Sequence, residues 1–276
     1  MTVAREPVGR ALDVLSWIAD HPSEPLVVRQ IARDLDTSPS TIFRIFRTFQ
    51  DRRLIARGDD GEYVTGLELY RICAVIASEL SLARIAHSRL QQLTRECGET
   101  TLFGIYEPRR GQMMFIDRVE ALHPLRYIVD LHRWMPVHAG ATGLAILAFL
   151  PEAERRRIYA AGLAALTPDT MVTVEPLEEE LELVRRRGYS LSQGQRTPGA
   201  VGFAAPVFDC AGVVCGDMCV TLPEQRFEAG AFADSLAAML MAASQQVSAD
   251  LKAVGYRGTA PPGEAADADS GPGAGD

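Results

Sequence analysis

Apolar residues along the chain fall first at helical spacing and later at strand spacing, and the changeovers mark its organisation. Val8, Ala11, Leu12, Leu15 and Ile18 form one helical stripe over residues 8–20, closed off by Pro22 and Pro25. Trp17 lies at the edge of that stripe and is placed in the core, with a subunit contact as the other reading. Val28, Ile31, Ala32 and Leu35 recur at i, i+3, i+4 and i+7, which predicts a second helix. Asp36, Thr37 and Ser38 break it. Ser38 is a good N-cap, and Pro39 suits the first helical position because its missing N–H costs nothing there. Ile42, Ile45, Phe46 and Phe49 then restart the spacing. The opposite face carries Ser40, Arg44, Arg47 and Asp51, flanked by Thr41, Phe43 and Thr48. Leu54, Ile55 and Ala56, a turn through Asp60-Gly61, and Glu62 to Thr65 predict a β-hairpin. Residues 1–66 thus read as a winged helix-turn-helix.

An amphipathic helix of this kind can lie in a DNA major groove, where Arg reads guanine and hydroxyls hold phosphate. The DNA-facing set is Ser38, Ser40, Thr41, Phe43, Arg44, Arg47 and Thr48. The hairpin tip is free to reach phosphate or the minor groove. The competing reading is that the same pair of helices binds protein and that its arginines are only a solvated face.

Beyond the hairpin, residues 67–80 predict a connecting helix too apolar to stand alone in water. A further helix, 81–97, ends at Gly98. The pattern then becomes mixed. Strands are expected at 100–106, 113–119, 125–129, 189–192, 201–208 and 213–222, and helices at 139–150, 151–161, 174–187 and 229–252. An antiparallel sheet with helices on one side is the expected packing, an α+β class. Residues 81–254 therefore form a second domain, 67–80 a linker helix, and 255–276, rich in Pro, Gly, Ala and Asp, a disordered tail.

Composition narrows the function. With 276 residues the chain holds one or two domains, and 47% hydrophobic residues are ordinary for a globular protein. No apolar run approaches the roughly 18 residues of a membrane span, so a cytoplasmic, membrane-free protein is expected. Five cysteines without a C-x-x-C pair fit a reducing compartment. A net charge of −8 argues against general nucleic-acid coating but not against a local DNA-reading face. His138, Cys219 and Asp217 could be assembled into a thiol nucleophile with its base and orienter. Composition alone supports that enzyme reading, since no nucleophile elbow, P-loop, dinucleotide fingerprint or zinc-ligand spacing is present. No catalytic residue, metal or cofactor is expected.

The segments RALDVLSWIAD and VRQIARDLDTSPSTIFRIFRTFQDRRLIARGDDGEYVTG resemble the N-terminal domain of the IclR family of bacterial transcription regulators. PVHAGATGLAILAFLP and RRRGYSLSQGQRTPGAVGFAAPVFDCAGVVCGDMCVTLP resemble that family's effector-binding domain. Two departures sit in the turn: Asp36 stands where the family usually has Gly, and Pro39 is one place late. Asp tolerates a left-handed backbone, so the turn is expected to be kept. The resemblance implies a winged helix-turn-helix joined by a helix to a GAF/profilin-like domain, an antiparallel sheet with flanking helices. It implies a regulator, by default a repressor, whose hold on operator DNA responds to a small organic or aromatic acid. A small phosphate footprint adds a homodimer or homotetramer on a two-fold site.

By position, the resemblance places effector contacts at Ala141, Thr142, Ser192, Gly202, Cys219 and Thr221. The residues agree in part, because the N–H groups of residues 140–143 open a helix and suit a carboxylate. The alternative is that these small residues only allow close packing. Strand alternation puts Val214, Gly216, Met218 and Val220 on one face, and Cys215, Asp217, Cys219 and Thr221 on the other. Asp217 therefore joins the effector set, against the alternatives of a locally exposed strand or a tie to a helix end. Relatives often carry an acid at the Ser192 position and a small apolar residue at that of Asp217, so the ligand is not inherited.

Overall fold

The computed structural model describes residues 6–22, 24–79 and 81–259. The chain divides between Ser81 and Leu82 into two compact units.

The first unit runs α1 (Pro7–Asp20), α2 (Val28–Asp34), α3 (Pro39–Asp51), β1 (Ile55–Arg57), β2 (Tyr63–Thr65) and α4 (Leu67–Glu79). Ile31, Ile42, Phe46 and Ile55 are its fully buried centre. Each such side chain contributes about 1.5–3 kcal/mol by leaving water. Ser38 caps α3 by accepting the Thr41 N–H at 3.2 Å. Asp36 adopts a φ of 46°, the left-handed turn conformation expected of it. Trp17 is buried, its indole N–H donates to Asp34 at 3.1 Å, and its ring stacks on His21. It is a core residue and not a place for copies to touch. The stripe on α1 is rotated from the expected one: Val14, Trp17 and Ile18 face inward, while Val8 and Leu12 are exposed. On α4, Leu69 packs on the core and Leu67, Tyr70, Val75 and Ile76 stay exposed.

The second unit contains α5 (Ser81–Cys97), β3 (Thr100–Glu107), β4 (Gln112–Val119), β5 (Met135–Pro136), α6 (Gly140–Leu147), α7 (Glu152–Ala160), α8 (Val174–Arg187), β6 (Ser190–Gln193), β7 (Ala200–Phe208), β8 (Val214–Pro223) and α9 (Ala231–Ala253). Its antiparallel sheet has the order β5-β4-β3-β8-β7-β6. Helices cover both faces, not one. Leu102, Ala204 and Cys219 meet Leu144 of α6 and Leu181 of α8, while Phe103, Phe203 and Met218 meet Leu90 of α5 and Leu240 of α9. A strand buried on both sides reads as a continuous apolar run, and every residue of β8 is buried.

Three further expectations are corrected. Residues 125–129 form no strand; the Leu125 and Val129 carbonyls accept from the guanidiniums of Arg226 and Arg118 instead of a ladder. The edge strand beside β4 is β5, paired with Gln112 and Met113. The β7–β8 register slips between Val207 and Phe208, pairing Val207 with Gly216 and Phe208 with Val214. Cys215 is the extra residue of this bulge and turns to the α9 face, while Val214 joins Asp217 and Cys219 on the α6 face. Finally, the chain is still tied down after Gly255. The Cys210 N–H donates to the Tyr256 carbonyl at 2.9 Å, and the Gly258 N–H to the Asp209 carboxylate at 3.0 Å. The rest of the expected tail, from 260 on, lies outside the described residues.

Candidate functional site

The candidate DNA face is built by α3. Ile42, Ile45, Phe46 and Phe49 anchor one side, which leaves Ser40, Phe43, Arg44, Arg47 and Thr48 exposed on the other and Thr41 partly so. These residues share one surface, but their hydroxyls are not equally available. Ser38 Oγ is committed to the cap and lies 2.9 Å from both Ser40 Oγ and Thr41 Oγ1. Thr48 donates back to the Arg44 carbonyl at 3.2 Å. The wing offers less than expected. Arg57 lies 3.9 Å over the Tyr63 ring and donates to its hydroxyl at 2.9 Å, while the tip carries Asp59 and Asp60, which repel phosphate.

The effector-side residues converge between the sheet and α6. Thr142, Ser192, Asp217, Cys219 and Thr221 are all buried, and Ala141 packs against Gly202, where a Cβ would stand 3.2 Å from the Ala141 methyl. Thr142 lies beside both Asp217 and Cys219. Some of these groups already have structural work. Ser190 donates to the Ala141 carbonyl, and Thr221 donates to the Val201 carbonyl at 3.5 Å. Asp217 does not. It is fully buried, and neither carboxyl oxygen has a hydrogen-bond partner. Burial pushes its pKa up to about 8, only weakly opposed by the Thr142 hydroxyl and the Arg196 charge.

Arg196 was not legible as a site residue. It enters from the loop before β7, and its Nη2 donates to the carbonyls of Pro136, at 2.9 Å, and Ala139, directly ahead of α6. Its side chain lies against Gly140, where a Cβ would meet Nε at 2.9 Å and where φ is 76°. Protein crowding lowers its pKa, while Cys219 and Asp217 raise it. A lone arginine in a Gly- and Pro-flanked loop carries no periodic signal. Gly104 was missed as well, although a glycine inside the apolar run LFGIY does signal a close approach.

The thiol-enzyme constellation does not assemble. His138 Nε2 is engaged with the Ala164 carbonyl at 2.9 Å. Burial, reinforced by Asp217, pushes the Cys219 thiol up to about 12, the reverse of a nucleophile's requirement. A separate cleft of about 710 Å³ opens at the end of α5, lined by Arg95, Glu120, Leu122 and His123, away from the effector-side residues. Among the described residues no cluster could hold a metal, and no helix is long and apolar enough to cross a membrane.

Residues 7–59 match the IclR helix-turn-helix domain, and residues 74–249 match the bacterial transcriptional regulator IclR C-terminal domain. The HTH-type transcriptional regulator BhcR of Paracoccus denitrificans is 31% identical over 222 residues, 79% of this chain and 78% of that protein. The transcriptional repressor IclR of Escherichia coli is 28% identical over 206 residues, 74% of this chain and 75% of its own. Two solved structures share the fold. An IclR regulator from Alicyclobacillus acidocaldarius gives a TM-score of 0.80 at 23% identity, covering 92% of this chain and 100% of its own. An IclR homologue from Microbacterium hydrocarbonoxydans, complexed with 4-hydroxybenzoate, gives 0.77 at 22% identity, covering 90% and 100%. These relatives are transcription regulators, not enzymes, which retires the thiol reading. The chain belongs to the IclR family of bacterial transcriptional regulators.

Proposed function

We propose that this chain is a repressor that holds operator DNA through α3 and releases or retains it according to a small organic or aromatic acid bound between the sheet and α6. The observation that carries the DNA half is a capped helix with Arg44 and Arg47 on its exposed face, opposite four buried anchors. The effector half is supported by a helix N-terminus, a guanidinium and an unpartnered carboxyl gathered at one buried place. That one relative by fold is complexed with 4-hydroxybenzoate points the same way.

The acting unit is a homodimer or homotetramer working in the cytoplasm on a two-fold operator. One α3 reaches few phosphates, and a second copy would cover the apolar side chains left exposed on α1 and α4. A gel shift on the DNA flanking the chain's own gene, repeated across a panel of small acids, tests both halves. The proposal expects retention of that DNA and a dose-dependent change with at least one acid. Absence of any retained DNA at low salt would sink it.

A further inference from the structure

Asp217 is this chain's clearest statement about what the effector site wants. Its carboxyl is fully buried and both oxygens lack a partner, while among the described residues the only other buried side-chain polar atoms without one are Gln195 Oε1 and Arg226 Nε. Its strand partners supply no side-chain donor. Across the ladder it faces Gly104 on one side and Pro206 on the other, neither of which has a polar side chain to offer. The Thr142 hydroxyl lies beside the carboxyl and favours its ionised form without completing a hydrogen bond to either oxygen, and the Arg196 Nη2 is spent on two backbone carbonyls. A buried carboxyl left without a partner in this way calls for an occupant that brings its own hydrogen-bonding group.

The other end of the occupant follows from the opposite charge. The first N–H groups of α6 have no partner within the helix, and Arg196 lies against the first residue of that helix. Both suit a carboxylate. We therefore propose that the effector is a hydroxylated carboxylic acid, its carboxylate received by Arg196 and the first turn of α6 and its hydroxyl by Asp217. This rests on the effector-site reading above and narrows it to a chemical class.

A hydroxyl fits better than an ammonium for a physical reason. Burial favours the protonated carboxyl, which offers one O–H to donate and one oxygen to accept. A hydroxyl both gives and takes a hydrogen bond and brings no charge to strip of water. An ammonium can only give, needs the ionised carboxylate, and pays its own desolvation. An acid with no hydroxyl leaves both oxygens of Asp217 unmet.

Calorimetric titration of the full chain with matched acids tests this: 4-hydroxybenzoate against benzoate, and 3-hydroxybutyrate against both butyrate and 3-aminobutyrate. At least one hydroxy acid is expected to bind about tenfold or more tighter than its deoxy partner. Asp217→Ala should abolish that preference while leaving the deoxy acid within a few fold. Asp217→Leu, of similar volume, carries the same expectation if the alanine variant does not fold. Asp217→Asn keeps a donor and an acceptor and should keep the preference. Equal binding of the hydroxy and deoxy members, a preference that survives Asp217→Ala and Asp217→Leu, or a win for the amino acid would overturn the proposal. Failure of the underlying site looks different: acids whose affinity is unmoved by Arg196→Ala and Thr142→Val are held elsewhere, and no binding by any of the five refutes a small-acid site of this kind.

Discussion

The Asp217 carboxyl occupies the space that a side chain at residue 104 would need. The two residues pair across β3 and β8, and a Cβ on Gly104 would stand 2.2 Å from Asp217 Oδ1 and 2.8 Å from the Met113 methyl. The glycine is thus matched to the aspartate. Gly104→Ala should destabilise the second unit by about 1–3 kcal/mol through overpacking. Combining it with Asp217→Ala should recover part of that loss, because the smaller side chain vacates the contested space. Denaturant midpoints of the two single variants and the double variant measure the coupling. Strict additivity would mean the two side chains do not compete.

Asp217 also sets a pH dependence. Its pKa stands at about 8 in the fold against an ordinary value of 3.8. Between those values the unfolded chain binds fewer protons at this site than the native one, so stability falls as pH rises through the window and levels off above it. Asp217→Asn has no proton to lose. The difference in unfolding free energy between variant and wild type should grow in the variant's favour by a few kcal/mol from pH 5 to pH 8.5. Parallel curves would show the carboxyl to be ionised throughout.

Arg44 and Ser38 sit at one helix but should fail in different assays. Arg44→Ala and Arg47→Ala should each weaken operator binding by at least ~1 kcal/mol and leave the melting temperature unchanged. Ser38→Ala removes the cap of α3 and should cost about 1 kcal/mol of stability in the first unit. Wild-type affinity in both arginine variants would place DNA reading on another surface.

Leu12 and Ile76 are 58% and 57% exposed, on helices that the proposed second copy would cover. Replacing either with Glu should shift light-scattering mass toward the monomer while far-UV circular dichroism stays native. Wild-type mass in both variants, or a wild-type chain that is already monomeric at micromolar concentration, would move assembly elsewhere or remove it.

Where the chain is cut after α9 should matter by a few residues. Ending it after residue 259 keeps the Tyr256 and Gly258 bonds to the β7–β8 turn and should leave stability unchanged. Ending it after 254 removes both bonds and the partly buried Tyr256 ring, and should cost on the order of 1–2 kcal/mol. Equal melting temperatures would show the clasp to be idle.

From α2 to the wing the first unit was legible because each signal there is local, whereas the inward side of α1 is set by the helices packed on it and was misread. Ser38-Pro39, the spacing of Ile42 through Phe49 and the Asp60-Gly61 turn all act within a few residues of chain. The second unit was harder wherever distant groups decide. Nothing near Leu125 says that its carbonyl is taken by Arg226, a residue far along the chain. Alternation on β8 misled at Cys215 because both faces are apolar there, so hydrophobicity does not register a slip of phase. Arg196 reaches the site only through carbonyls that folding brings to it. Asp217, by contrast, stood out for being a charge in a strand with no polar face.

The bulge at Cys215 gives β8 one residue more than its pairing with β7 uses. Taking Cys215 out would restore the two-residue repeat with Val214 and Asp217 still on the α6 side. Deleting a neighbour such as Met218 would instead invert every side chain beyond the cut and exchange the linings of the two cores. The strand therefore carries a spare residue, a built-in joint at which its length could change through descent without disturbing what either core encloses.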